Sequence, residues 1–255
     1  MISSIDAEKI RAMQAGGAKL GKIREILADM IKPGTNLLAI EEKAQALILE
    51  EGGVPSFTTV EDYQWATCLC INDEVVHGIP SDRVIDEGDV VTVDVGMIYD
   101  GYHTDTATTR IAGDEEKYPE EKKLLQVGKD TLTKAIGMAK AGNHIYDISS
   151  VIEAAITKAG YSVIKSLTGH GVGKTLHEEP MIPMYTHGKR ERTPEIHPGM
   201  TLAIEIIYAE GNGSIEYTKD DGWTLGSRDR SLTVVFEHTI AVFDDRTDVL
   251  TSPSK

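Results

Sequence analysis

Apolar residues recur at Ile10, Met13, Gly17, Leu20, Ile23 and Leu27, the spacing of one helix face, and the run stops at Lys32-Pro33-Gly34. A second helix is predicted after Thr35, with Leu38, Ile40, Ala44, Leu47 and Ile48 inward and Gly52-Gly53 as its terminator. The order then repeats. Leu125, Leu132, Ala135, Ile136 and Ala139 mark a third helix ending at Ala141-Gly142-Asn143; Ile145, Ile148, Ile152, Ala155 and Ile156 mark a fourth, closed by Gly160. A slide of 108 residues lays Gly34 on Gly142, Ile40 on Ile148 and Gly52 on Gly160. Two helices and then strands, twice over, predict a duplicated α+β unit. The charged, turn-rich segment from Gly113 to Pro119 divides the chain into halves of about 1–113 and 114–255 within one domain, 1–255. Copies this small are expected to share one sheet, with helices over one face.

Elsewhere the period shortens. Val90 to Tyr99 reads as a strand, and Asp100-Gly101 is a two-residue hairpin turn. With those two at the turn, Tyr99 faces Tyr102, Met97 faces Thr104 and Gly96 faces Asp105. Asp94 lies two residues from Gly96 and points to the same side of the sheet, so Asp94 and Asp105 are diagonal neighbours with backbones roughly 7–8 Å apart. Gly96 is expected to leave open space beside them. In the second half, Thr201–Tyr208 and Leu232–Phe243 are strand-like, as is Tyr161–Leu167.

These strands carry acids at matching places. Gly88-Asp89-Val90-Val91-Thr92-Val93-Asp94 aligns with Gly199-Met200-Thr201-Leu202-Ala203-Ile204-Glu205, and His103-Thr104-Asp105-Thr106 with Val235-Phe236-Glu237-His238-Thr239. Buried carboxylates are costly unless paired with cations or metal. Four converging on one place repel one another, and a multiply charged cation relieves that repulsion. The long connection through Lys219-Asp220-Asp221-Gly222-Trp223 leaves the Glu205–Glu237 register open; the pseudo-symmetry predicts that both face the cavity of Asp94 and Asp105.

Composition narrows the reading further. The 255 residues, 40% hydrophobic and 26% charged, are ordinary for a globular protein. A formal net charge of −15 argues against a nucleic-acid partner. No run approaches the roughly 18 apolar residues of a membrane span, and the start, Met1-Ile2-Ser3-Ser4-Ile5-Asp6-Ala7-Glu8-Lys9, does not read as a secretory signal. Cys68 and Cys70, the only cysteines, share a strand face too closely for an unstrained bridge and lack a second pair for zinc. Buried reduced thiols are expected, which suits a cytoplasmic location.

Histidines beside glycine or proline punctuation add imidazoles to the set. His170 lies in Thr168-Gly169-His170-Gly171-Val172-Gly173, where three glycines exclude a helix interior and allow close backbone approach. His177 follows in Leu176-His177-Glu178-Glu179-Pro180, and His77 ends a strand in Val75-Val76-His77-Gly78-Ile79-Pro80. The run into Lys174-Thr175 imitates a phosphate-binding loop but has Thr168 where that loop needs glycine, and no His-Glu-x-x-His helix occurs.

Asn72-Asp73-Glu74-Val75-Val76-His77-Gly78-Ile79-Pro80, Asp94 with the Asp100-to-Thr106 segment, Gly169-His170-Gly171-Val172-Gly173, His177-Glu178-Glu179-Pro180 and Phe236-Glu237-His238-Thr239 together resemble the type I methionine aminopeptidases over essentially the whole chain. The resemblance implies an α+β pita-bread fold, two pseudo-twofold-related halves with helices packed on a curved, mainly antiparallel sheet. It implies two divalent metal ions held by Asp94, Asp105, His170, Glu205 and Glu237, with Mn, Fe, Co and Zn equally suited. It further implies substrate contacts from His77 and His177, and a methionine pocket lined by Tyr63, Cys68 and Trp223. One departure stands out: Ile206 follows Glu205 where the family usually has proline, which bears on the strand's course beside the pocket.

The expected reaction is hydrolysis of the first peptide bond by a metal-bridging water or hydroxide. Glu205 serves as base, with His177 and His77 as the other catalytic groups. The expected substrate is the N-terminal methionine of nascent polypeptides. A cytoplasmic monomer with no membrane or direct nucleic-acid contact is expected, the ribosome being a candidate docking partner. Two alternatives stand beside this reading: an X-Pro-cleaving peptidase of the same fold, and a non-catalytic binding module.

Overall fold

The apolar stripes become four helices in the computed structural model, which describes residues 4–252, the side chains of residues 4–6 apart. They are α1 (Ser4–Ala28), α2 (Leu37–Glu50), α3 (Pro119–Met138) and α4 (Ile145–Lys158). The strands are β1 (Val54–Pro55), β2 (Thr67–Ile71), β3 (Glu74–Val76), β4 (Val90–Tyr99), β5 (Tyr102–Ile111), β6 (Ser162–Val163), β7 (Thr168–Gly171), β8 (Glu178–Pro183), β9 (Thr201–Ala209), β10 (Ile215–Tyr217), β11 (Leu225–Ser227), β12 (Thr233–Val242) and β13 (Thr247–Val249). No described helix is long and apolar enough to cross a membrane.

The duplication is built into the backbone. Helices α2 and α4 begin and end at positions related by the 108-residue slide. Asn36 caps α2 by accepting from the Leu38 N–H at 2.8 Å. Its counterpart His144 opens α4, where the Asp147 carboxylate accepts from the His144 N–H at 2.8 Å. Gly34 and Gly142, two residues before each cap, have φ of +90° and +84°, a left-handed turn that favours glycine. The central strand of each half also matches: β4 is flanked by β5 on one edge and by β2 and β1 on the other, and β9 by β12 on one edge and by β7 and β6 on the other.

Each helix pair covers its own sheet. Leu20, Ile23, Leu27, Ile40 and Ile48 of α1 and α2 pack on Leu69, Val91, Val93 and Val95. Leu124, Leu132, Ile148 and Ile152 of α3 and α4 pack on Ile204, Ile206, Val234 and Phe236. A fully buried aliphatic side chain of this kind contributes about 1.5–3 kcal/mol by area.

Where the halves meet, one continuous sheet was expected, but two sheets abut along β5 and β12. Threonine hydroxyls replace a backbone ladder there. Thr106 donates to the Glu237 carbonyl at 2.8 Å and Thr109 to the Val235 carbonyl at 2.8 Å. Thr239 accepts from the Asp105 N–H and donates to the Asp105 carbonyl, both at 2.8 Å. The side chains hold the two backbones apart while satisfying their polar groups.

Two local expectations also need correction. The expected strand Tyr161–Leu167 shrinks to Ser162–Val163, and the glycine-rich motif after it is itself strand β7. Gly96 does not open free space: an added Cβ there would lie 2.7 Å from the Ser56 Cβ and 2.8 Å from the Phe57 ring.

Candidate metal centre

Strands β4 and β5 take the register that the Asp100-Gly101 turn predicts, with Gly96 opposite Asp105 and Asp94 opposite Ala107. On the other edge of β4, Cys68 stands opposite Asp94. In the second half Glu205 faces Glu237 directly, and β7 places His170 opposite Ala203. Like charges directly opposite destabilise a sheet. The seam then joins the two sets. Ligand atoms of Asp105, His170 and Glu237 lie within 4.8 Å of one another, His170 Nε2 is 3.5 Å from Glu205 Oε1, and Asp94 lines the same cavity.

His170 reaches this place because glycine flanks it. A Cβ on Gly169 would meet the Ala203 carbonyl oxygen at 2.6 Å, and one on Gly171 the Glu179 carbonyl oxygen at 2.4 Å. Its Nδ1 lies 2.9 Å from the Gly171 carbonyl oxygen. A carbonyl only accepts, so the proton sits on Nδ1 and the Nε2 lone pair points at Glu205.

The electrostatics follow from burial. Asp105 is 5% exposed and Glu237 2%. Burial pushes the Asp94 carboxyl up to about 7. Burial, reinforced by neighbouring carboxylates, holds Asp105, Glu205 and Glu237 well above the usual carboxylate range, while Arg24 pulls Glu237 slightly the other way. Burial and the nearby His177 lower His170 to about 4, so its lone pair is available at neutral pH.

The donor set fits a divalent cation. Among the described residues, Asp94 Oδ1 and Glu237 Oε1 are buried with no hydrogen-bond partner. An imidazole lone pair faces a carboxylate oxygen at 3.5 Å. Unsatisfied acceptors of this kind are costly when buried, and a cation among them removes the cost. One imidazole among carboxylates suits Mn, Fe, Co or Zn.

The sequence-predicted substrate residues line the same cavity, of about 140 Å³: His77, His177, Tyr63, Cys68 and Trp223. Tyr63 and Trp223 meet edge to face with centroids 5.0 Å apart. The Tyr63 hydroxyl donates to the Thr67 carbonyl at 2.8 Å and lies 3.2 Å from Cys68 Sγ. Both cysteines are free and buried, and burial raises their thiol pKa values, which keeps them unreactive. His77 has φ of +59°, a strained value for a residue with a side chain. His177 packs edge-on to His170 at 4.5 Å between centroids. Burial lowers the pKa of both His77 and His177.

Phe57, Val60 and Leu176 complete the apolar wall, and the sequence reading missed them. Phe57 sits in a turn-rich segment without periodicity; only the gap beside Gly96 brings it to the cavity. Leu176 had one usable signal, its place directly before His177. Ile206 leaves β9 undisturbed: it pairs opposite Phe236 and is fully buried in the core with α3 and α4.

Fold and donor set together define a metallohydrolase on the pita-bread scaffold. The model of metallopeptidase family M24 matches residues 11–244. Methionine aminopeptidase 1 of Bacillus subtilis is 35% identical over 251 residues, covering 98% of this chain and 99% of the relative. Methionine aminopeptidase of Aquifex aeolicus is 38% identical over 250 residues, covering 95% and 94%. The crystal structure of methionine aminopeptidase from Thermotoga maritima matches with a TM-score of 0.91 at 36% identity, covering 98% of both chains. Prolidase from Pyrococcus furiosus shares the fold alone, with a TM-score of 0.75 at 20% identity, covering 97% of this chain and 65% of that one. The chain belongs to metallopeptidase family M24, among its methionine aminopeptidases.

Proposed function

We propose that the chain acts as one catalytic unit that removes the N-terminal methionine from newly made proteins, with two divalent ions held by Asp94, Asp105, His170, Glu205 and Glu237. The observation that carries this reading is the meeting of acids from both halves with His170, two of the acids having unsatisfied buried oxygens, beside a small apolar pocket. Bound divalent ions supply Lewis acidity and a water that ionises near neutral pH.

The chain's own groups do the rest. Glu205 accepts the proton of the attacking water and returns it to the departing amine. His177 donates a hydrogen bond to the scissile carbonyl oxygen as charge develops there, and His77 does so near the leaving amide. Burial keeps both imidazoles neutral at pH 7, so each donates without adding charge. The acidic inner wall favours a free α-amino group over a mid-chain amide, which restricts cleavage to a chain end. Tyr63, Cys68 and Trp223 receive the methionine thioether through ring and sulfur contacts. The reading places the enzyme in the cytoplasm as a monomer acting on nascent chains, with the ribosome as a candidate dock.

Peptides beginning Met-Gly and X-Pro, assayed with and without chelator, test this reading. Chelator-sensitive release of methionine from the first supports it. Cleavage only before proline would transfer the protein to the prolidase type of activity, and no metal-dependent turnover of either would leave a binding module.

A further inference from the structure

A second cavity, of about 400 Å³, lies on the helix side of the β5–β12 seam, between α1 and α3. Its charged lining is Arg24, Arg110 and Lys129 against the single carboxylate of Glu25. That is an excess of two positive charges in a chain whose formal net charge is −15.

Glu25 is already shared. One oxygen accepts from Arg24 Nε at 3.2 Å and Nη2 at 2.7 Å; the other accepts from Arg110 Nη2 at 2.9 Å. The rest of the Arg24 fork is engaged too, Nη1 donating to Thr106 Oγ1 at 2.7 Å and lying 3.2 Å from His238 Nδ1. The other two cations are less satisfied. Arg110 Nε is buried and has no partner among the described residues. Lys129 Nζ lies 5.8 Å from the centroid of the Phe236 ring, with no carboxylate in ion-pair reach among the described residues. A water would satisfy the Arg110 hydrogen, yet it would leave the charge excess untouched.

We propose that this cavity is a second binding site, for a small phosphate-type oxyanion, free or as a simple monoester. A dianion matches the excess of two charges, and a guanidinium edge with an ammonium is the donor set that recognises phosphate. The Thr108 hydroxyl offers a further donor, and Leu132 gives an ester's carbon chain an apolar wall. The site also lies one residue behind the candidate metal centre. Thr106, which accepts from Arg24, donates from its hydroxyl to the Glu237 carbonyl at 2.8 Å and from its N–H to Asp105 Oδ1 at 2.9 Å.

Calorimetric titration of the full, metal-loaded chain with inorganic phosphate tests the proposal, with chloride as the control at equal ionic strength. Because phosphate also binds metal ions, the titration is repeated after chelation. A saturable event that survives chelation is expected. Lys129→Gln and Arg110→Gln are each expected to weaken it by about tenfold, and the double variant to abolish it. Comparable binding of glycerol phosphate assigns the site to monoesters, and its exclusion assigns the site to free phosphate. Both half-buried side chains lie outside the hydrophobic core; should either variant melt early, the phosphate-induced rise in the wild-type melting temperature, absent with chloride, reads the same site. No chelator-resistant binding, or equal binding by the double variant, would overturn the proposal.

Discussion

Substituting Gly169 by alanine isolates the geometry that places His170. The added Cβ would lie 2.6 Å from the Ala203 carbonyl oxygen and 3.3 Å from the Glu205 backbone nitrogen, whereas ordinary contact begins at 3.4 Å. Both obstacles are backbone, so no side chain can swing aside. Strand β7 has to move off β9 by about 0.8 Å, taking the adjacent His170 with it. Metal–ligand distances are held to about 0.2 Å, so the shift exceeds what a bound ion accepts. Metal affinity should fall by about 10–100-fold, the scale seen when the support of a ligand is lost. Overpacking should also cost about 1–3 kcal/mol of stability. The assay is cleavage of a Met-Gly peptide against titrated divalent metal, in which half-activation should need correspondingly more metal and excess metal should restore part of the rate. Gly137→Ala is the matched control: its Cβ meets nothing within 4 Å near the end of α3, so it should gain up to about 1 kcal/mol with no change in metal dependence. A Gly169→Ala protein with wild-type metal requirement and melting temperature would refute the view that this glycine sets the position of His170.

Further outcomes can be checked independently. Glu205→Gln should cut turnover by about 10²–10⁴-fold, the usual weight of a general base, while the circular dichroism spectrum stays that of the wild type; near-normal rates would remove Glu205 from the proposed role. Metal affinity should fall about tenfold per displaced proton for each pH unit below about 7, because burial holds Asp94 protonated up to about 7 until a cation takes the proton's place; proton-release calorimetry giving a flat profile from about pH 5 to 7 would contradict this. Asp147, bonded by Arg190 Nε at 2.7 Å and Nη2 at 2.6 Å, has its pKa lowered chiefly by that pair. Its contribution is therefore present above its ordinary value and lost as the pH falls through the lowered one. Asp147→Asn should lower the melting temperature at pH 7, with the gap from wild type closing in acid; a gap that persists unchanged at low pH would show that the charge is not responsible.

Local chemistry made much of the molecule readable in advance. The 3.6-residue period of Ile10 to Leu27 and Leu125 to Ala139 specifies helices whatever they pack against, and glycine turns at Gly34 and Gly142 mark the duplication. The Asp100-Gly101 turn alone sets the β4–β5 register and therefore the common face of Asp94 and Asp105. Neighbours in sequence settle such features, so one chain suffices to read them. Only the tertiary structure decided the remainder. The excursion between β9 and β12 hides the Glu205–Glu237 register, which the full sheet resolves as a direct pair. The threonine seam along β5 and β12, the filling of the Gly96 gap by Phe57, and the cation-lined cavity behind the seam leave no periodic trace. Arg24 meets Thr106 across 82 residues and His238 across 214. Such contacts depend on how two folded halves close on each other, and no local pattern encodes that closure.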